Sequence, residues 1–448
     1  MQSKLQLNDL HVELIQEIFL FVISHPQNDL TPRSPSILAL PAPYTSNYRS
    51  PASPFAISHV CKYWRNIALR FPNLWTHLCV LSPKTSKVVQ FVKEWINRAG
   101  YLPLYLSFHE TTGASLSATK LIIHLFLDNV HRCIHFEMGV QTDLLKLIDS
   151  KKLHLQIPCR LEYLSIRTHD PLQRFKTITL LNYFLTSPGL QSVVLSCPVN
   201  LRNLPDIAKR WVNLRELSLL MPLSFDQISF ALSLCENLDR LVINRPPMRY
   251  LAAQEGIILP RLTKLSATLG PRDSLSCFIV PSLTECEVVT VGGLCWNTIG
   301  CLFEKSAARP KVLRFLKSRL PEDVHVSKAE ERMLLHILRN PFLQDLRNLE
   351  VEQYVGLDTL NFLQLPRSHD ENPHNGQISQ SEGYLCNLEK CSLVLLPTTR
   401  ILDVWHALDT LCGSRLGADR NKVRNEYLQF SEDTLQLSLS ITQPIRHI

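Results

Sequence analysis

The chain has 448 residues, 45% of them apolar and 19% charged, which excludes a wholly disordered protein and leaves room for roughly two to four domains or one elongated repeat array. Its formal charge of +7 is mild and the basic residues are scattered, the densest group, "DRNKVR" (419–424), holding an aspartate, so a nucleic-acid-binding face is not expected. Thirteen cysteines without a C-x-x-C pair, no N-x-[ST] site and no apolar run near the ~18 residues of a membrane span lead to a reduced, soluble, cytoplasmic or nuclear protein with no membrane contact as the expectation.

"LHVELIQEIFLFVI" (10–23) has helical periodicity, although Glu13 and Glu17 interrupt it too early for a signal peptide. Leu10, Leu14, Ile18 and Phe21 form one stripe, and Ile15, Phe19 and Val22 form a second beside it. Together they cover nearly twice the ~100° arc of an ordinary surface helix, so this helix has to be covered from two directions. Residues 24–54 follow with seven prolines, six serines and no glycine, the composition of an extended, disordered insertion. Thr31, Ser34, Ser50 and Ser53 each precede a proline there and suit proline-directed kinases.

Beyond the insertion, Ile57, Val60, Cys61, Trp64, Ile67 and Ala68 fall on one helical stripe, which Pro72 ends. Leu74, Trp75 and Leu78 read as a short apolar turn. Without the insertion this module is roughly 40 residues, a size at which a lone core fails without metal, disulfide or partner. A partner is the option left. "LHVELIQEIF", "VCKYWRNIAL" and "PNLW" resemble an F-box, the module that docks on the linker subunit of Skp–cullin–F-box ubiquitin ligases. The resemblance implies linker contact through Leu10, Leu14, Ile18, Val60, Cys61, Trp64 and Trp75, with the two tryptophans also filling the module's core. "KVVQFVKEWINRAGYLPLYLSF" (87–108) extends it with a helix, a stop at Gly100 and an alternating strand, a step similar to that of fungal-type F-box proteins.

Leucine occurs 78 times, and "LQSVVLSC", "LRELSLLM", "LDRLVINR" and "LTKLSATL" start at 190, 214, 238 and 262, each 24 apart. That is leucine-rich-repeat spacing, joined by "LEYLSIRT" at 161 and looser copies at 283, 346 and 388. Pro198, Pro222, Pro246 and Gly270 stand where the standard repeat has asparagine or cysteine, so the array is expected to be irregular. Helices are expected between strands, one at "DQISFALSLC" (226–235) with Asp226 as cap and one opened by "SKAE" (327–330). Residues 366–383 read as a polar loop and "TLQLSLSI" (434–441) as a last strand.

His131, Cys133 and His135 would share one strand face, an arrangement that lacks a fourth ligand and second-shell partners and is better read as repeat strand than as metal site. No nucleophile elbow, zincin helix or phosphate loop is present, so no enzyme activity and no cofactor are expected. The fold expected is α/β, a small helical F-box over residues 1–80, followed over 81–448 by an irregular leucine-rich-repeat solenoid with strands on the concave face and helices on the convex face. The function expected is that of a substrate-recognition adaptor of a ubiquitin ligase, with linker subunit, cullin and a protein substrate as partners. Candidate target contacts are the positions two after each repeat's first leucine, Tyr163, Ser192, Glu216, Arg240, Lys264 and Glu285. The alternative is a repeat scaffold that engages no cullin, motivated by His11 where the family usually has proline and by the length of 24–54.

Overall fold

The computed structural model describes residues 10–24, 53–81, 85–110, 114–141, 160–168, 183–197, 211–221, 223–244, 256–270, 275–290, 296–317, 328–355, 357–363, 390–395, 428–431 and 434–440, with single positions between them. The fold is mixed α/β with parallel sheet, and the chain divides into two units, Met1–Met221 and Pro222–Ile448. The boundary expected at residue 80 falls inside a strand.

The first unit opens with helix α1 (Val12–Ser24). Where one helix was expected around Trp64 there are two, α2 (Pro54–Val60) and α3 (Lys62–Arg70). Cys61 between them is extended, and its sulfur accepts the Trp64 N–H at 3.4 Å, capping α3. The break interrupts the apolar stripe, so Ile57 is buried while Val60 faces solvent. Ser53 caps α2 by accepting the Ala56 N–H at 3.3 Å and is itself buried, so its hydroxyl is occupied rather than presented to a kinase. The rest of the insertion, with Thr31, Ser34 and Ser50, lies outside the described residues.

The expected turn after Pro72 is a short 3-10 segment (Pro72–Trp75), and Leu78 belongs to strand β1 (His77–Leu81). Helix α4 (Lys87–Arg98) ends at Gly100, whose φ of +59° is the left-handed conformation that stops a helix without steric strain. Strand β2 (Leu104–His109), helix α5 (Leu116–Asp128), and strands β3 (Cys133–Val140), β4 (Tyr163–Thr168), β5 (Ser192–Ser196) and β6 (Glu216–Leu219) follow. Each strand pairs in parallel with the next, so residues at matching repeat positions lie in rows across the sheet. One face packs on helices, as Phe108 does on Phe126 and Phe136 on Phe184, with ring centroids 6.5 and 4.9 Å apart.

The second unit begins with α6 (Phe225–Ser233), whose cap is Ser224 and not Asp226. Ser224 and Gln227 form a reciprocal capping box, which satisfies two orphan N–H groups where Asp226 would satisfy one. Strands β7 (Arg240–Asn244), β8 (Ile257–Ile258), β9 (Lys264–Leu269), β10 (Phe278–Ile279) and β11 (Glu285–Thr290) come next. Then follow α7 (Trp296–Ser306), β12 (Val312–Lys317), α8 (Lys328–Leu338), β13 (Asn348–Val355), α9 (Leu357–Phe362), β14 (Lys390–Leu395), β15 (Leu428–Ser431) and β16 (Thr434–Ser440). Strands β7, β9, β11, β12, β13 and β14 pair in parallel in that order, β8 pairs with β10, and an antiparallel β15–β16 hairpin closes the edge beside β14. The eight leucine-aligned segments are thus all strands. Pro198, Pro222, Pro246, Ser327, and residues 366–383 and 419–424 lie outside the described residues.

Candidate functional site

Helix α1 splits its two apolar stripes. Ile15 and Phe19 turn inward against α2, α3 and the 3-10 segment, with Phe19 and Trp64 ring centroids 5.0 Å apart. Leu14 and Phe21, 52% and 61% exposed, share the outer stripe with the exposed Ile18, and Val22 lies next to it. Val60 on α2 is 62% exposed; Leu10, Cys61 and Trp64 are half-buried. An apolar stripe exposed at Leu14 and Ile18 beside a packed one marks the second direction in which the sequence called for cover.

Trp75 takes a different part. It is fully enclosed, donating its Nε1–H to the Ala68 carbonyl at 2.9 Å and meeting the rings of Phe55 and Trp95 at 5.1 and 5.0 Å. The Arg98 guanidinium lies 4.7 Å over its ring. Trp75 therefore has no surface to offer a linker subunit, because α4 of the same chain covers it. The small module borrows core from α4, while Leu14 and Ile18 on the outer arc of α1 are exposed.

The face of β1–β6 turned away from those helices carries three rows. The first is His77, Tyr105, His135, Tyr163, Ser192 and Glu216; the second is Cys79, Ser107, Glu137, Ser165, Val194 and Ser218; the third is Leu81, His109, Gly139, Arg167 and Ser196. Two pairs in the first row, His77 with Tyr105 and His135 with Tyr163, stack face to face at 4.1 Å. Glu137 in the middle row is 1% exposed. Its Oε1 receives Arg167 Nη2 at 3.1 Å and the Ser165 hydroxyl at 3.5 Å. Its Oε2 faces the Nε2 atoms of His109 at 3.7 Å and His135 at 4.0 Å. Burial pushes the Glu137 carboxyl up, but His135, His109 and Arg167 together outweigh it and hold it below the usual carboxylate range.

Gly139 makes this convergence possible. It sits in the third row between His109 and Arg167, and a Cβ there would come 3.1 Å from His109 Nδ1. Without a side chain in that place, both neighbours fold over Glu137. His135 and Cys133, expected on one strand face, are separated by an irregularity in β3. Leu104 pairs with Cys133 but Tyr105 with His135, so Ile134 is an extra residue that turns Cys133 into the core. His131 precedes the strand in a 3-10 turn.

Burial, and secondarily the charge of His135, lowers the His77 pKa to about 4. The unfolded chain therefore takes up a proton that the folded chain refuses between the unfolded value of about 6.5 and the folded one. Stability attached to His77 is full above that window and falls as pH drops through it. The expected loss is about 2 kcal/mol, allowing for solvent at the ring edge. Melting temperatures between pH 7 and 4.5 should show this decline, and His77→Phe should flatten it; an equally steep variant would assign the decline to another group.

In the second unit Arg240, Lys264 and Glu285 share one row, which continues to Val312, Asn348 and Lys390. Lys264 Nζ is 2.8 Å from Glu285 Oε1, so part of that footprint is neutralised within the sheet. Its middle row repeats the theme of the first unit. Buried Glu287 accepts the Ser266 hydroxyl at 3.2 Å, and Arg314 spans Glu287 at 4.0 Å and Glu350 at 3.2 Å. Alignment on the first leucine found the outer rows of both units, Tyr163, Ser192 and Glu216 in one and Arg240, Lys264 and Glu285 in the other. It missed both buried carboxylates. A glutamate in a strand, aligned with serine one repeat away and with arginine nearby, was the signal available.

The buried thiols belong to the packing. Desolvation pushes Cys79, Cys197 and Cys286 up to about 12, far from nucleophilic range. Among the described residues no helix is long and apolar enough to cross a membrane, and no group of three or more His, Cys, Asp or Glu is placed to hold a metal ion. No protein-family model matches the chain, and no curated protein matches it.

Proposed function

We propose that the chain is a substrate-recognition adaptor of a Skp–cullin–F-box ubiquitin ligase, with α1–α3 docking on the linker subunit and the parallel sheet, as an irregular leucine-rich-repeat domain, receiving target proteins. The observation that carries this reading is the outer stripe of α1. Leu14 and Ile18 remain exposed although Ile15 and Phe19 of the same helix are buried. A soluble chain gains nothing by presenting a contiguous apolar stripe to water unless a partner removes it from water.

The sheet supports the second half of the reading. Parallel pairing lines up side chains of like repeat position, so a surface of rings, carboxylates and guanidinium groups is held on rigid backbone. The mechanism is proximity. A target held on the sheet and a conjugating enzyme held on the cullin raise the effective concentration of a target lysine, with no covalent step in this chain. Co-expression with a linker subunit and the N-terminal half of a cullin should give a stoichiometric complex by size exclusion. Elution of the folded chain alone would leave the scaffold reading in its place.

A further inference from the structure

Helices α4 and α5 pack together, and a cleft of about 400 Å³ lies at their C-terminal ends. Ile96 and Leu125 give it apolar surface, and Lys93, Asn97 and Arg132 give it polar groups. Tyr101 also lines it and is 98% exposed, because the left-handed turn at Gly100 takes the chain out of α4 and leaves the next side chain in solvent.

None of the lining residues is acidic. Among the described residues no carboxylate pairs with Lys93 or with Arg132, whose Nη2 donates to the Leu102 carbonyl at 2.7 Å and whose Nε–H is enclosed without an acceptor. Burial holds the guanidinium pKa below its usual value, so it works against a cation that the chain does not neutralise. Capping the Leu102 carbonyl accounts for one of the five N–H groups of Arg132 and for nothing at Lys93. The two helix C-termini that meet here each carry about half a negative charge, which offsets roughly one of the two cations. Arg98 and Asp128, in the same last turns but outside the lining, are of opposite sign. About one positive charge is left, the complement of a carboxylate and not of a doubly charged phosphate.

We propose that this cleft takes the C-terminal carboxylate of a target protein whose last residue is apolar. Lys93 and Arg132 receive the carboxylate, and the last side chain lies on Ile96, Leu125 and the Tyr101 ring. Carboxylate and side chain branch there from one Cα, so charge and apolar surface arrive together. An internal aspartate or glutamate brings the charge without the apolar group. Leu102 and Arg132 precede strands β2 and β3, so the cleft lies at the start of those strands and adds a contact for the target's tail to the sheet. As a statement about targets, this deepens the adaptor reading and rests on it; the cleft's chemistry is tested without any ligase component.

The full chain is titrated with acetyl-Gly-Gly-Leu as free acid, with its amide and with acetyl-Gly-Glu-Gly-amide, followed by saturation-transfer NMR. Saturable binding of the free acid is expected, with the other two weaker by about tenfold and no displacement by an equal concentration of inorganic phosphate. Lys93 is exposed, so Lys93→Glu should weaken the free acid by about tenfold while the melting temperature stays close to wild type. Tyr101→Ser should weaken acid and amide alike, since it removes apolar contact and no charge. Absence of saturable binding, equal binding of the amide or the glutamate peptide, displacement by equimolar phosphate, or full affinity in a folded Lys93→Glu chain would each overturn the assignment. Linker co-purification is read separately, so the cleft and the adaptor role fail independently.

Discussion

Leu14→Asp combined with Ile18→Asp is expected to abolish co-purification with the proposed linker subunit and to leave the chain folded. Both side chains are exposed in the free chain, so carboxylates there remain solvated and unfold nothing, a surface change within about 0.5 kcal/mol each. In a docked interface the same carboxylates lose their water without gaining a partner. Burying one unpaired charge costs several kcal/mol, and two in adjacent helical turns exceed the whole of a micromolar interaction, about 8 kcal/mol. The internal control lies one residue away. Ile15→Asp puts the same group into the packed side of α1 and should unfold the module itself, lowering helix content as well as binding. Pull-down with circular dichroism on both variants separates the two faces. Linker retained by the Leu14→Asp, Ile18→Asp chain would mean that α1 is not the docking element.

The distinction between those faces was legible in the sequence because helical angle alone separates Leu14, Ile18 and Phe21 from Ile15 and Phe19. Strand positions were legible for a similar reason: a 24-residue leucine spacing leaves little freedom in which residues share a row. What was not legible depends on single residues that change direction. Cys61 splits one apparent helix into two and sends Val60 outward, and Ile134 shifts β3 and moves Cys133 inward. Each is one residue against a periodic signal of ten or more. The full enclosure of Trp75 has a longer-range cause, since part of its cover comes from Trp95, 20 positions downstream on α4. Glu137 escaped because a glutamate on the outer side of a strand reads as solvated surface. Only the absence of a side chain at Gly139 reveals that His109 and Arg167 can close over it.

That closure sets the second large effect. Arg167→Met keeps the length and the apolar stem of the side chain but removes a permanent cation bonded to a carboxylate with 1% exposure. Breaking a buried pair from one side costs about 3–5 kcal/mol, because the remaining charge is left desolvated. Arg167 is itself partly exposed, so the lower end, about 3 kcal/mol, is expected. In the wild-type chain the folded Glu137 carboxyl lies below its unfolded value of about 4.3. Its contribution is therefore complete above that pH and is lost as pH falls through the folded value. In the variant desolvation prevails and the folded carboxyl titrates above the unfolded one, so the sign reverses: acidification from neutral pH towards 5 becomes less harmful than in wild type. Denaturant midpoints measured from pH 7 to 4 test both parts at once. Glu137→Leu added to Arg167→Met should restore most of the lost stability, since no charge is then stranded and both replacements are apolar. If Arg167→Met alone stayed within about 1 kcal/mol of wild type across that range, solvent would be reaching Glu137 and the pair would be an ordinary surface ion pair.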